Sequence, residues 1–344
     1  MRRKINLQLF GNVAPTTVTA NDQIVTPLNT TLQNTTTADM SPTMKTFYDT
    51  SLLENAREAM VFTQLGEKQA MKGNKVEWRK FNTFEKAMTP LTEGINPTGQ
   101  TFGMTSIEAT TTQHGTYTAV TDRLEYESYD DVIYGATEEM GASAGETFDT
   151  LTRNILVAGN SVVYAPKIVG GVETPVSSRA DLDATAILTP KLVAQIATWL
   201  KKNKAPKIGG YFVMVIHPSQ AYDLRNSDEW KESHKYADVA PIFNGEIGTL
   251  HGIRFIESNN VKVTKVGSVA TYQSLALGAK SFGVLDPAGE GMEMIVKDKS
   301  QIGGALNLFS TIGYKFCHGA KILYEERLLR VETGSYYSDV DDEN

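Results

Sequence analysis

The sequence predicts an α+β fold, and three observations carry that prediction. Helix and strand signals are mixed along the chain without the regular alternation of a parallel α/β protein. One apolar pattern in steps of three or four residues runs unbroken from about Asp130 to Gly159. A stretch from Met71 to Thr121, punctuated by glycines and prolines, reads as two strands joined by a long tip. At 344 residues the chain suits one large domain or two intergrown ones, and 41% apolar with 21% charged residues is the balance of a globular protein with its own core.

Residues 1–40 hold nine threonines and five asparagines with almost no periodicity, so they form an arm that cannot build a core alone. A first helix opens at Ser41 with Pro42 at its first position, carries Met44, Phe47, Leu52, Leu53, Ala56 and Met60 inward, and ends before Gly66. KVEWRKF and SIEATTTQ alternate as strands, and the stretch between them contains Pro90, Gly94, Pro97, Gly99 and Gly103. Such a ribbon carries few large apolar residues beyond Val76, Trp78, Phe81 and Ile107 and needs a neighbour to lie on.

The long pattern that follows places Ile133, Ala136, Met140, Ala144, Phe148, Leu151 and Ile155 on one face of a helix roughly 45 Å long, a spine for other elements. TPKLVAQIATWLKKN reads as a helix capped by Thr189 with Pro190 at its first position. YFVMVI, from Tyr211 to Ile216, is a fully buried strand, and further strands are expected at IRFIES, VATYQSLALG, LFSTIGYKF and around ILYEERLLRVE. The acidic tail DVDDEN is expected to fray.

Composition excludes several classes of function. No apolar run approaches the roughly 18 residues a membrane span requires. The opening MRRKINLQLFGN is basic but has too few apolar residues for an export signal, and no cleavage site follows. Cys317 is the only cysteine, so no disulfide forms within the chain and a reducing compartment suits it. A net charge of −7 argues against a surface devoted to gripping nucleic acid.

Three patterns invite a catalytic reading. GASAG, Gly141 to Gly145, matches a nucleophile elbow, with Asp181 and His217 following in the right order, but the helical periodicity runs straight through Ser143 where an elbow needs a strand and a turn. His217, His234 and His251 are spaced seventeen residues apart among carboxylates, a gap that matches no metal-ligand pattern. A metal-dependent hydrolase built on this region is the alternative to a structural role. Cys317 and His318 are adjacent in a strand and point to opposite faces, so they cannot pair as thiolate and imidazole. Lys201, Lys202 and Lys204 are the cations expected at a helix C-terminus. No catalytic, metal or cofactor site is expected.

Six stretches in order carry a resemblance: Ser41 to Leu53, Lys72 to Phe81, Thr89 to Gly94, Thr150 to Gly159, Asn203 to Leu224 and Asn244 to Phe255. Together, across about Asn6 to Val331, they resemble the major capsid protein of tailed bacteriophages. The resemblance implies that family's fold: an N-terminal arm (1–40) and helix (41–65), an extended two-stranded loop (66–121) and a peripheral domain with a long spine helix (122–159). An axial domain (160–288) and a return to the peripheral domain with a C-terminal tail (289–344) would complete it.

The function so implied is self-assembly into hexamers and pentamers that form an icosahedral shell around double-stranded DNA, without sequence-specific binding and without a membrane. Scaffolding, portal and decoration proteins are the implied partners, and the virion, assembled in the host cytoplasm, is the implied location. Another phage structural or binding protein is a further alternative. Aromatic and arginine residues dominate interface energetics, which marks Trp78, Arg79, Phe81 and Phe84 as interface candidates, with Glu85, Lys86 and Glu93 as ion-pair candidates.

Overall fold

The computed structural model describes residues 60–344 apart from the segments 72–74, 82–83, 92, 97, 128–131, 235–245, 268, 288–290, 303–305 and 339. The expected arm and the expected helix from Ser41 to residue 59 lie outside the described residues. A short helix, Phe62–Leu65, stops at Gly66, whose backbone is extended. A Cβ at Gly66 would lie 2.6 Å from the Phe282 ring, so the chain passes there only because the residue is glycine.

The spine is the helix Val132–Val157, 26 residues and about 39 Å long. Its face of Ile133, Ala136, Met140, Ala144, Phe148 and Leu151 packs on Val120, Met294, Ile312, Tyr314 and Phe316. Those partners come from a three-stranded antiparallel sheet in the order Glu293–Lys297, Phe309–His318, Thr112–Thr121. Gly141, Ala144 and Gly145 are buried together on the helix, so GASAG is a small-residue face in mid-helix and not an elbow.

A seven-stranded mixed sheet forms the second layer. Its order is Val162–Tyr164, Leu328–Thr333, Val269–Leu277, Phe212–Ile216, Ile253–Glu257, Glu246–Leu250, with Lys262–Val266 paired to Val269–Leu277. Phe212–Ile216 is buried at every residue, which is why that segment shows no alternation in sequence. The helix Pro190–Lys202 is capped as its sequence predicts: Leu192 N donates to Thr189 Oγ1 at 3.3 Å and Pro190 opens the first turn. Leu192, Val193, Ile196, Ala197 and Leu200 then face Phe212, Met214 and Ile216 across the largest core. Between the layers, Glu67–Met71, Phe282–Pro287 and Ala320–Ile322 make a third sheet of three strands.

Buried charges tie the layers to the spine. Asp149 and Arg153, one turn apart, are 0% and 2% exposed. Asp149 accepts from Thr63 N at 2.9 Å, Thr63 Oγ1 at 3.1 Å and Asn260 Nδ2 at 3.1 Å. Arg153 Nη1 donates to Asn260 Oδ1 at 3.0 Å and Asn344 Oδ1 at 3.1 Å. Burial pushes the Asp149 carboxyl up against these hydrogen bonds, and burial pulls the Arg153 guanidinium down against the nearby Asp149 charge. At the end of the spine, Arg330 Nη1 donates to the carbonyls of Val157 and Gly159, groups a helix terminus leaves unpaired. Glu332, 0% exposed, holds Arg330 at 2.8 Å and Arg179 at 2.6 Å.

Two expectations are corrected, for the ribbon's second strand and for the acidic tail. The ribbon is Lys75–Phe81 paired with Met104–Thr110. Thr112–Thr121 leaves it to pair along ten residues with Phe309–His318, a longer ladder than the ribbon offers. Phe282–Pro287 pairs with Glu67–Met71 and Ala320–Ile322, outside the seven-stranded sheet. Leu328–Thr333 inserts beside Val269–Leu277 in the seven-stranded sheet, where Leu328, Leu329 and Val331 are buried. The acidic tail is docked: Asp341, Asp342, Glu343 and Asn344 all bond to other elements.

Replacing Ile196, 1% exposed in the largest core, by alanine is expected to cost about 2–5 kcal/mol. A lowered midpoint of chemical denaturation, with helix content retained in water, is the expected reading.

Candidate assembly surface

The ribbon is anchored at its root and exposed at its tip. Trp78, half-buried, packs with Val76, Ala109 and Leu285. Its indole lies over Gly283 so closely that an added Cβ would be 2.7 Å from Trp78 Cζ2. Lys80 reaches Glu326 at 3.6 Å and lies 4.5 Å from the centre of the Tyr324 ring. The alternation of the first strand, with Val76, Trp78 and Lys80 turned in and Lys75, Glu77, Arg79 and Phe81 turned out, is the pleat of a strand lying on a surface.

Beyond the root a series of large apolar side chains is exposed. Phe81 and Phe84 are each 56% exposed, Met88 81% and Leu91 76%. Ile95, Phe102 and Met104 are also exposed. Phe102 stacks on both Phe81 and Phe84, with ring centres 5.1 and 5.6 Å apart. Gln100 Nε2 donates to the Glu85 carbonyl at 2.9 Å and closes the tip. Arg79 is exposed with Glu77 at 3.7 Å, and Glu85, Lys86 and Glu93 are exposed. The structure therefore brings Phe81 and Phe84 together, while the Trp78 indole is engaged by its own chain. Sequence reasoning missed Phe102, Met88, Leu91 and Ile95; the available signal was large apolar residues in a stretch whose glycines and prolines allow no element to bury them.

The histidines are dispersed. His217 caps the helix Pro218–Asn226, accepting from Ser219 N at 3.3 Å, and stacks on Tyr272 with ring centres 4.7 Å apart. His251 has φ 52° in a two-residue turn with Gly252 and contacts Glu229 at 2.9 Å. His234 ends the helix Asp228–His234. Among the described residues no cluster could hold a metal ion. His318 is 3% exposed, and its Nε2 lies 3.0 Å from Thr152 Oγ1 on the spine. It lines a groove of about 590 Å³ with His114, Lys321 and Glu325, its ring centre 6.5 Å from that of His114.

Comparison with solved structures shows where this fold recurs. The fold is shared with the capsid of the cyanophage P-SCSP1u, at 14% identity over 80% of this chain and 89% of that one with a TM-score of 0.60. It is shared equally with the capsid of Ralstonia phage GP4, at 16% identity over 81% and 88% with a TM-score of 0.60. The capsid of the cyanophage Pam1 gives 14% identity over 89% and 96% with a TM-score of 0.59. No curated protein sequence matches the chain. The phage capsid protein family model matches residues 104–315, and the chain belongs to that family. It is a structural protein of the phage capsid and not an enzyme, so the resemblance read in the sequence is borne out and the hydrolase alternative is set aside.

The His318 ring predicts a pH dependence. Burial, and then the neighbouring His114, hold it down to about 4. Asp149, through the Thr63 and Thr152 hydroxyls, is the nearest anionic group toward the spine, and Lys321 and Glu325 face the groove. The folded chain refuses a proton that the unfolded chain takes up near pH 6.5. The neutral ring's contribution is therefore complete above 6.5 and lost as pH falls toward 4, at most about 3 kcal/mol. His318→Gln, which keeps a hydrogen-bonding group and cannot titrate, is expected to flatten the denaturation midpoint over that interval.

Proposed function

We propose that copies of this chain assemble into hexamers and pentamers tiling an icosahedral shell around double-stranded DNA. The observation that carries the reading is the ribbon tip: a preformed aromatic stack on a rooted arm, exposing apolar side chains that a lone subunit leaves in water. A patch of this kind marks an interaction site, and covering one such phenylalanine contributes about 1.5–3 kcal/mol. The occupant opposite the tip is a neighbouring copy, over which the ribbon extends. Phe81 and Phe84 are the anchors, with Phe102 stacked on both, and Arg79, Glu85, Lys86 and Glu93 form the charged rim.

In this reading the unit built on the spine helix lies at the periphery of each capsomer and the seven-stranded sheet gathers toward its axis. The arm, residues 1–40, is completed by contact with other subunits. A net charge of −7 suits a wall that packed DNA does not adhere to. Assembly in the host cytoplasm with scaffolding, portal and decoration proteins follows from the same reading.

Negative-stain electron microscopy of the purified chain, over a range of protein concentrations, should show closed shells or rings of five and six subunits. Phe84→Asp with Phe102→Asp should abolish them while leaving the denaturation midpoint within about 0.5 kcal/mol of the parent, since both residues are exposed in the subunit. Uniform small particles under every condition would overturn the proposal.

A further inference from the structure

Among the described residues, the strand Lys262–Val266 pairs on one side only, with Val269–Leu277. In an antiparallel pair every second residue turns its backbone groups away from the partner, and an open row of them is a template for a foreign strand. Here the row is filled by side chains. Val263 N donates to Asn344 Oδ1 at 3.0 Å, and Lys265 N donates to Glu343 Oε1 at 2.6 Å. Asn344 Nδ2 donates to the Val261 carbonyl at 2.9 Å. Two consecutive side chains thus make the bonds that a missing strand would make.

Charge holds the segment in place. Lys265 Nζ lies 2.8 Å from Asp342 Oδ1, and Lys262 Nζ donates to the Asn344 carbonyl. Upstream, Asp341 accepts from the Tyr272 hydroxyl at 2.5 Å, from Ser338 Oγ at 2.6 Å and from Ser219 Oγ at 3.2 Å. Although burial pushes the Asp341 carboxyl up, these hydrogen bonds and nearby His217 hold it below the usual range. Arg153 on the spine donates to the same Asn344 oxygen at 3.1 Å, so the clasp closes on a buried residue.

We propose that residues 341–344 form a clasp that closes the Lys262–Val266 edge against strand pairing with a second copy of the chain. A second copy is the competing strand because, with its own clasp open, it presents the same row of backbone groups, and it is the partner at highest local concentration wherever copies gather. The lysines on that edge repel their counterparts across such a pair, and the carboxylates of the clasp neutralise them within one subunit. The proposal concerns the isolated subunit and does not depend on the ribbon contact.

Residue-resolved amide exchange on the unassembled full chain tests it. Glu343→Ala should speed exchange at Lys265 about tenfold and leave Val263 unchanged, while Asn344→Ala should do the reverse. A chain ended after Ser338 should speed both and, in sedimentation, associate at concentrations where the full chain with Phe84→Asp and Phe102→Asp does not, provided it carries those two changes as well. The proposal is overturned if both amides exchange at unprotected rates in the full chain, if neither single substitution changes its own amide, or if the shortened chain sediments like its parent.

Discussion

The structure depends on burying two opposite charges on one helix. A carboxylate and a guanidinium taken out of water cost several kcal/mol each unless every hydrogen-bonding position is filled. Asp149 and Arg153 meet that demand with groups from three distant parts of the chain: Thr63 near the start of the described residues, Asn260 before the strand edge, and Asn344. The constraint runs both ways. The charges need the three partners, and the partners are fixed in place because the charges cannot be left without them. A spine packed only through its apolar face could slide along the sheet beneath it by a helical turn; hydrogen bonds of set direction cannot.

The remaining joints follow the same logic with weaker terms. Arg330 ends the spine by taking its last carbonyls, and Glu332 holds that arginine from a strand of the other layer. The single strand Leu328–Thr333 therefore serves two cores at once: Leu329 and Val331 face the largest core, while Leu328 packs with Phe62 and Leu156 beside the spine. This explains why the last strand crosses to the seven-stranded sheet. Three buried aliphatic side chains and a buried carboxylate find partners on both sides there.

How much of this was legible in the sequence depended on whether the signal was local. The spine, the Thr189 cap and the buried strand Phe212–Ile216 are written in periodicity and capping residues, and the first ribbon strand stands where its alternation put it. The second ribbon strand was drawn too long because Thr110, Thr111 and Thr112 continue the alternation without a break. Only the ladder to Phe309–His318, about two hundred residues away, decides where the ribbon ends. The docked tail was missed for a related reason: DVDDEN has the composition of a solvated end, and its partners Tyr272, Lys265 and Val263 are placed by the sheet. At the tip, Phe81 and Phe84 were recognisable as aromatics in a ribbon, but their stacking on Phe102 joins residues across an irregular stretch that no periodicity describes.

The close approach of Trp78 to Gly283 has a mechanical side. It roots the ribbon in the sheet between the two layers, through a rigid indole pressed on a backbone that offers no side chain to yield. The strand runs three residues beyond that root, about 10 Å, before the exposed tip begins. Turning that sheet by about 10° would swing the end of the strand by about 2 Å, and the tip beyond it further. Small rotations of that sheet are thereby converted into larger displacements of the exposed apolar tip.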